Sequence, residues 1–304
     1  RDRWGQRAAQ ARVLEALRRR GPDPDATTAD GVTALVGAAY NGEGKSEAGM
    51  GVAVGDYDGD GYFDIFITNF EGEYNVLYEN QGDGFFLDAS FVSGVTVRGN
   101  PDVGWGTGFF DYDNDGDEDL FVTNGHTYPQ ADSPYTNASY RQQNFLFEND
   151  GSGRFSDVTD KAGPGLALVE ASRGASFADF DGDGDLDIYV LNLNSVPNLM
   201  RNDGGNRNGW IGLRLAGSGG NGEAFGAHVR LSPGGSHQER EVRRSYGYQS
   251  SQDVRLLFGL GAATAVDSIE VRWPSGRRSV HLEPELRRYH LLREPGTALS
   301  LIHI

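Results

Sequence analysis

Asp179-Phe-Asp-Gly-Asp-Gly-Asp-Leu-Asp187 sets an aspartate at every second position of a nine-residue stretch, and two upstream stretches align with it. They are Asp56-Tyr-Asp-Gly-Asp-Gly-Tyr-Phe-Asp64 and Asp111-Tyr-Asp-Asn-Asp-Gly-Asp-Glu-Asp119. A β-type run ending in asparagine follows each copy: Ile65 to Asn69, Leu120 to Asn124, Ile188 to Asn192. A short glycine-containing run precedes each. Further on comes a second shared element, Asn75-Val-Leu-Tyr-Glu-Asn80, Asn144-Phe-Leu-Phe-Glu-Asn149 and Asn198-Leu-Met-Arg-Asn202. In the first two copies a glycine turn and a last strand close the unit. Each unit therefore reads as about four short strands with the aspartate loop between the first two, which predicts β-propeller blades.

Carboxylates at this density repel one another unless a cation joins them. Calcium takes about six to eight oxygen ligands, and alternate positions of a tight loop aim at one centre. Positions 1, 3, 5 and 9 supply side chains, position 6 is the glycine of the sharp turn, and position 7 offers its backbone carbonyl. Site one is then Asp56, Asp58, Asp60 and Asp64, with Tyr62 at the backbone position. Site two is Asp111, Asp113, Asp115 and Asp119, with Asp117 at the backbone position; the Asp117 and Glu118 side chains are expected to point outward. Site three is Asp179, Asp181, Asp183 and Asp187, with Asp185 at the backbone position. Three calcium ions are expected, as structural staples. Magnesium suits these loops less, because it demands a stricter octahedron. An EF-hand is excluded, since loop position 12 is Ile67, Val122 or Val190 rather than glutamate.

The rest of the composition narrows the function. Residues 49–205 hold 28 acidic and 6 basic side chains, whereas residues 206–295 hold 9 and 13. The whole chain carries −17, which argues against nucleic acid as a partner. No apolar run is long enough for a membrane helix. Cysteine is absent, which excludes disulfides and thiolate chemistry. No nucleophile motif, zinc-protease motif or phosphate loop occurs, and the six histidines show no metal spacing, so an enzyme is not expected. The loop from Gly125 to Gln143 gathers His126, Tyr128, Pro129, Pro134, Tyr135 and Tyr140, a candidate surface for a protein or a sugar.

Residues 206–295 change character. Strands are predicted at Trp210–Leu215, Ala227–Leu231, Glu239–Ser245, Val254–Phe258, Ser268–Trp273, Ser279–Leu282 and Tyr289–Arg293, an antiparallel sandwich separate from the blades. Arg240, Arg243, Arg244, Arg277 and Arg278 form a basic set, expected to dock on the acidic blades or to stay solvated. The predicted layout is a segment outside the repeat at 1–30, blades at 31–205, a second β-domain at 206–295 and a tail at 296–304. Three blades cannot close a ring, so a partial ring and a longer parent protein are expected. Arg1 to Arg20 reads as a basic amphipathic helix or a disordered end, and Ala34 to Tyr40 as one more strand.

The loops and their flanking strands resemble FG-GAP/VCBS repeats, the calcium-binding blades also found in integrin α-chain propellers. The chain from about Gly31 to Arg293 is similar to the C-terminal part of the ASPIC/UnbV family. The stretches that carry the likeness are Ala48-Gly-Met-Gly-Val-Ala-Val-Gly-Asp-Tyr-Asp, Gly104-Trp-Gly-Thr-Gly-Phe-Phe-Asp-Tyr-Asp-Asn-Asp-Gly, Arg201-Asn-Asp-Gly-Gly-Asn, Phe258-Gly-Leu-Gly and Val271-Arg-Trp-Pro-Ser-Gly276. The resemblance implies a calcium-loaded propeller followed by a small β-domain. It also implies an extracellular, periplasmic or cell-surface, adhesion-like setting, and no common catalytic activity. The competing expectation is a calcium-dependent enzyme, or an accessory protein of a biosynthetic pathway, acting on the propeller face.

Overall fold

The computed structural model describes residues 47–82, 85–98, 102–133 and 138–296. The expectations for residues 1–30, for Ala34 to Tyr40, for Pro134 and Tyr135, and for the tail beyond residue 296 lie outside the described residues.

The first sheet runs β1 (Val52–Gly55), β2 (Asp64–Ile67), β3 (Val76–Asn80) and β4 (Phe86–Asp88), each antiparallel to the next. A single helical turn, α1 (Ser90–Ser93), follows. The second sheet orders β5 (Gly104–Phe110), β6 (Asp119–Asn124), β8 (Phe145–Asn149) and β9 (Phe155–Asp157) in the same way. Beside it β7 (Gln142–Gln143) pairs with β10 (Val169–Glu170). The third sheet has three strands, β11 (Ser172–Ala178), β12 (Asp187–Asn192) and β13 (Asn198–Met200). Its missing outer strand matches the sequence, where only the first two repeats carry the closing glycine turn.

Both faces of β2 and β6 are apolar and both are buried, as in sheets covered on two sides. Phe66 and Leu77 pack with Phe109, Leu120 and Phe147 between the first two blades. Phe121 and Leu146 pack with Phe177, Ile188 and Val190 between the second and third. The blades thus stack face to face, with their first strands β1, β5 and β11 side by side.

Beyond residue 208 the chain forms two further sheets. One joins β14 (Gly209–Ala216) to β17 (Leu256–Gly261) and β20 (Tyr289–Arg293). The other orders β16 (Gln238–Glu241), β15 (His228–Ser232), β18 (Ser268–Arg272) and β19 (Arg278–Leu282). They close on one core that includes Ile211, Leu213, Val229, Leu231, Phe258, Ile269 and Trp273. The sandwich is antiparallel except for β14 and β20, which run parallel.

Two details depart from the sequence reading. The strand expected over Glu239–Ser245 stops at Glu241. The following segment crosses to the blades, where the Gly247 amide donates to the Val52 carbonyl at 2.7 Å. Gln252 accepts from the Phe177 amide at 2.9 Å and donates to the Ala175 carbonyl at 3.0 Å. This segment straps the sandwich, which keeps a core of its own, to the inner strands.

Candidate metal centres

Each aspartate loop joins the first two strands of a blade. Its chain reverses through two left-handed residues: Gly59 and Gly61, Asn114 and Gly116, Gly182 and Gly184. Glycine and asparagine tolerate that conformation. The first aspartate of each loop closes the turn, accepting the position-6 amide: Asp56 from Gly61 at 3.1 Å, Asp111 from Gly116 at 3.0 Å and Asp179 from Gly184 at 3.1 Å. The last aspartate ties the loop to the blade. Asp64 accepts from the Asn80 amide at 2.7 Å, Asp119 from Asn149 at 2.9 Å and Asp187 from Asn202 at 2.8 Å.

Carboxylate oxygens of Asp56, Asp58 and Asp64 come within 4.8 Å of one another, as do those of Asp111, Asp113 and Asp115, and those of Asp179, Asp181 and Asp187. Asp60, Asp119 and Asp183 stand outside these groups. Asp60 turns back to accept from the Tyr62 amide at 2.8 Å, and Asp183 accepts from the Asn206 side chain at 2.8 Å. At the backbone positions, Tyr62 is exposed, Asp117 is half-buried, and the Asp185 side chain is buried and accepts from the Asn206 amide at 3.2 Å.

Burial drives the acidities. It pushes Asp64 up to about 9, and Asp56 up to about 7 with the Glu118 charge adding to it. Burial followed by repulsion from Asp115 raises Asp113 to about 6, and burial lifts Asp111 and Asp119 well above the usual carboxylate range. Oδ1 of Asp56 is buried without a hydrogen-bond partner among the described residues. At site one the converging carboxylates of buried Asp56 and Asp64, with an orphaned oxygen, suit a hard cation, which would supply the missing positive charge.

The sandwich lies on these loops. A Cβ on Gly259 of β17 would stand 2.1 Å from Asp111 Oδ2, so only glycine admits the contact. The Gly261 amide donates to the Asn114 carbonyl at 2.8 Å. At loop three, the Tyr289 hydroxyl donates to Asp179 Oδ2 at 2.8 Å and Arg255 to the Asp179 carbonyl at 2.8 Å. At loop one, the Arg243 guanidinium stacks 4.5 Å from the Phe63 ring and donates to the Val54 carbonyl at 3.1 Å.

Glu118 overturns its sequence-based placement. It is only 6% exposed; Oε2 accepts from the Asp56 amide at 2.9 Å and Oε1 meets Arg240 Nε at 3.2 Å. A loop glutamate reads as solvated from sequence; here the first blade and the docked sandwich enclose it together. Arg240 and Arg243 dock on the blades, while Arg244 pairs with Glu223 and Arg277 with Glu294 inside the sandwich.

The opposite loops hold His126, buried with Nε2 3.0 Å from Glu71 Oε2 and flanked by Phe70 and Tyr128. Tyr128 is exposed and Tyr140 half-buried. Arg173 anchors this loop through the Gly125 and His126 carbonyls.

Residues 56–122 and 135–190 match the FG-GAP-like repeat, and residues 217–299 match the family described as ASPIC and UnbV. The chain is thus similar to FG-GAP-like repeats over its earlier part and to the ASPIC and UnbV family over its last part. It is similar to cartilage acidic protein 1 of Xenopus tropicalis, 28% identical over 300 residues that cover 79% of this chain and 44% of that protein. The Homo sapiens protein of that name is 32% identical over 173 residues, 56% of this chain and 23% of the relative. The chain spans less than half the length of these relatives. The gap between the two repeat matches falls in the His126 loop. No described helix is long and apolar enough to cross a membrane.

Proposed function

We propose that the chain is a calcium-binding interaction module of an extracellular, periplasmic or cell-surface protein, with calcium as its structural staple. The observation that carries the reading is the threefold convergence of carboxylates on loops that also seat the sandwich. Asp56, Asp58 and Asp64 would hold one ion, Asp111, Asp113 and Asp115 a second, and Asp179, Asp181 and Asp187 a third. Asp60, Asp119 and Asp183, with the carbonyls of Tyr62, Asp117 and Asp185, complete the proposed ligand sets. The ions neutralise the loops and hold blades and sandwich in one arrangement. Extracellular calcium modules bind at about 10⁻⁴–10⁻³ M, which fits that setting. The partner is a protein or a carbohydrate, met by surface rather than by a catalytic pocket.

Calorimetric titration of the chelated chain with calcium tests this, together with melting in chelator and in excess calcium. Three bound ions and a rise in Tm are expected; at a hundredfold excess over Kd each site adds about 2.7 kcal/mol. An unchanged Tm overturns the reading.

A further inference from the structure

Five residues after the last aspartate of each loop stands an asparagine: Asn69, Asn124 and Asn192. In two blades both ends of its side-chain amide are used. Asn69 Oδ1 accepts from the Gly49 amide at 2.9 Å while Nδ2 donates to the Tyr74 carbonyl at 2.7 Å. Asn192 Oδ1 accepts from the Ser172 hydroxyl at 2.9 Å while Nδ2 donates to the Val196 carbonyl at 2.8 Å. Gly49 and Ser172 each stand seven residues before the first loop aspartate, and Gly104 holds that place in the second blade. The Gly104 amide donates instead to the Asn69 carbonyl of the first blade, at 3.0 Å. Asn124 is 1% exposed, and its Nδ2 donates to the Gln143 carbonyl at 2.8 Å. Its Oδ1 is left without a hydrogen-bond partner among the described residues.

Asn124 lines a cavity of about 20 Å³ between the first two blades, room for one water or one bare ion. Glu73, from the connection between β2 and β3, and Asp102, just ahead of β5, share its wall. Glu73 spends Oε2 on the Ala48 and Phe70 amides, at 2.8 and 3.4 Å. Asp102 is half-buried; burial pushes it up to about 6, opposed by the Arg98 charge. Arg98 also lines the cavity, but its guanidinium is committed to Asp157 through Nε and to Asp160 through Nη2 at 3.2 Å. A water would satisfy Asn124 and leave the two carboxylates uncompensated.

We propose that this cavity binds a fourth hard cation, calcium, on Asn124 Oδ1, Asp102 and Glu73, and so clamps the first blade to the second. The site shares no residue with the aspartate loops. Asp119 and Asn124 lie at opposite ends of β6, so it stands a strand's length from loop two. It offers two carboxylates where each loop offers at least four, so it fills after the loops do.

Equilibrium dialysis against calcium, of wild type and of Asp102→Asn, tests the proposal. At saturation the variant should bind one calcium fewer than wild type, a difference that reads the same whatever the loops hold. Carbodiimide-driven amine labelling of carboxylates, read by mass spectrometry on the wild-type chain, gives a second test that needs no variant to fold. Calcium should lower the labelling of Asp102 and Glu73, at higher concentration than it lowers that of Asp113 and Asp181. An unchanged ion count in Asp102→Asn means that water alone fills the cavity and overturns the proposal. Equal labelling of Asp102 in chelator and in excess calcium overturns it as well.

Discussion

Glu118 and Arg240 form a buried ion pair, Oε1 to Nε at 3.2 Å, that joins the second metal loop to the sandwich. The other glutamate oxygen holds the Asp56 amide at the start of the first loop. One carboxylate thus fixes two loops and a second sheet system. Removing either partner leaves the other charge buried and uncompensated. Glu118→Ala and Arg240→Ala should each cost about 3–5 kcal/mol, the scale for breaking a buried pair. The double substitution should cost less than the sum. A double-mutant cycle by urea unfolding in calcium measures this, and additive losses would deny the coupling.

Asp113 tests the proposed second site. It belongs to the converging group, yet among the described residues its carboxylate accepts only one long hydrogen bond, from the Asp115 amide at 3.3 Å. With calcium present, Asp113→Ala should lower stability by roughly 2–4 kcal/mol through weakened ion linkage. In chelator the sign should reverse, since the substitution removes a crowded carboxylate. Unfolding of wild type and variant in both conditions decides it; equal losses with and without calcium would assign Asp113 a purely structural role.

The pH dependence should also change sign with calcium. In the ion-free fold, burial raises Asp113 to about 6, Asp56 to about 7 and Asp64 to about 9, above their unfolded values. The folded state then binds protons that the unfolded state has lost. Their stabilising contribution is complete below the unfolded carboxylate range and disappears as pH rises toward about 9. Chelated protein should therefore melt at lower temperature at pH 8 than at pH 5. In excess calcium, protons compete with the ion for the same oxygens, so the trend should run upward with pH. Parallel trends in the two buffers would contradict the assignment of these carboxylates to a cation.

The repeated loops were legible because carboxylate spacing and flanking β-branched runs are local signals. So were the strands beginning near Trp210, Ser268 and Tyr289, where apolar alternation matches a half-buried strand. The need for Gly59, Asn114 and Gly182 at loop position 4 was also written in the sequence, as residues that tolerate a positive φ, but the metal pattern drew the reading to position 6 alone. Glu118 was not legible, because its neighbours make a solvated turn and its enclosing partner comes from another sheet system. The β14–β20 parallel pairing was hidden for a related reason: alternation reveals a strand but not the direction of its neighbour.

The strap from Tyr246 to Gln252 had no periodicity to read, and its hold on the blades rests on side chains. Gln252 is buried, and its amide does for β11 what another strand would do. Oε1 takes the Phe177 N–H at 2.9 Å and Nε2 satisfies the Ala175 carbonyl at 3.0 Å. Gln252→Ala leaves both backbone groups buried without these partners, at a cost of about 1–3 kcal/mol each. Gln252→Glu keeps the acceptor but sets a buried carboxylate against the Ala175 carbonyl, so it should retain the Phe177 bond while adding the cost of a buried charge. Both variants should be less stable than wild type, and the Phe177 amide should exchange faster with solvent only in the alanine variant. Hydrogen exchange by mass spectrometry, alongside denaturant unfolding, reads both quantities. A Phe177 amide equally protected in all three proteins would show that β11 does not depend on the strap.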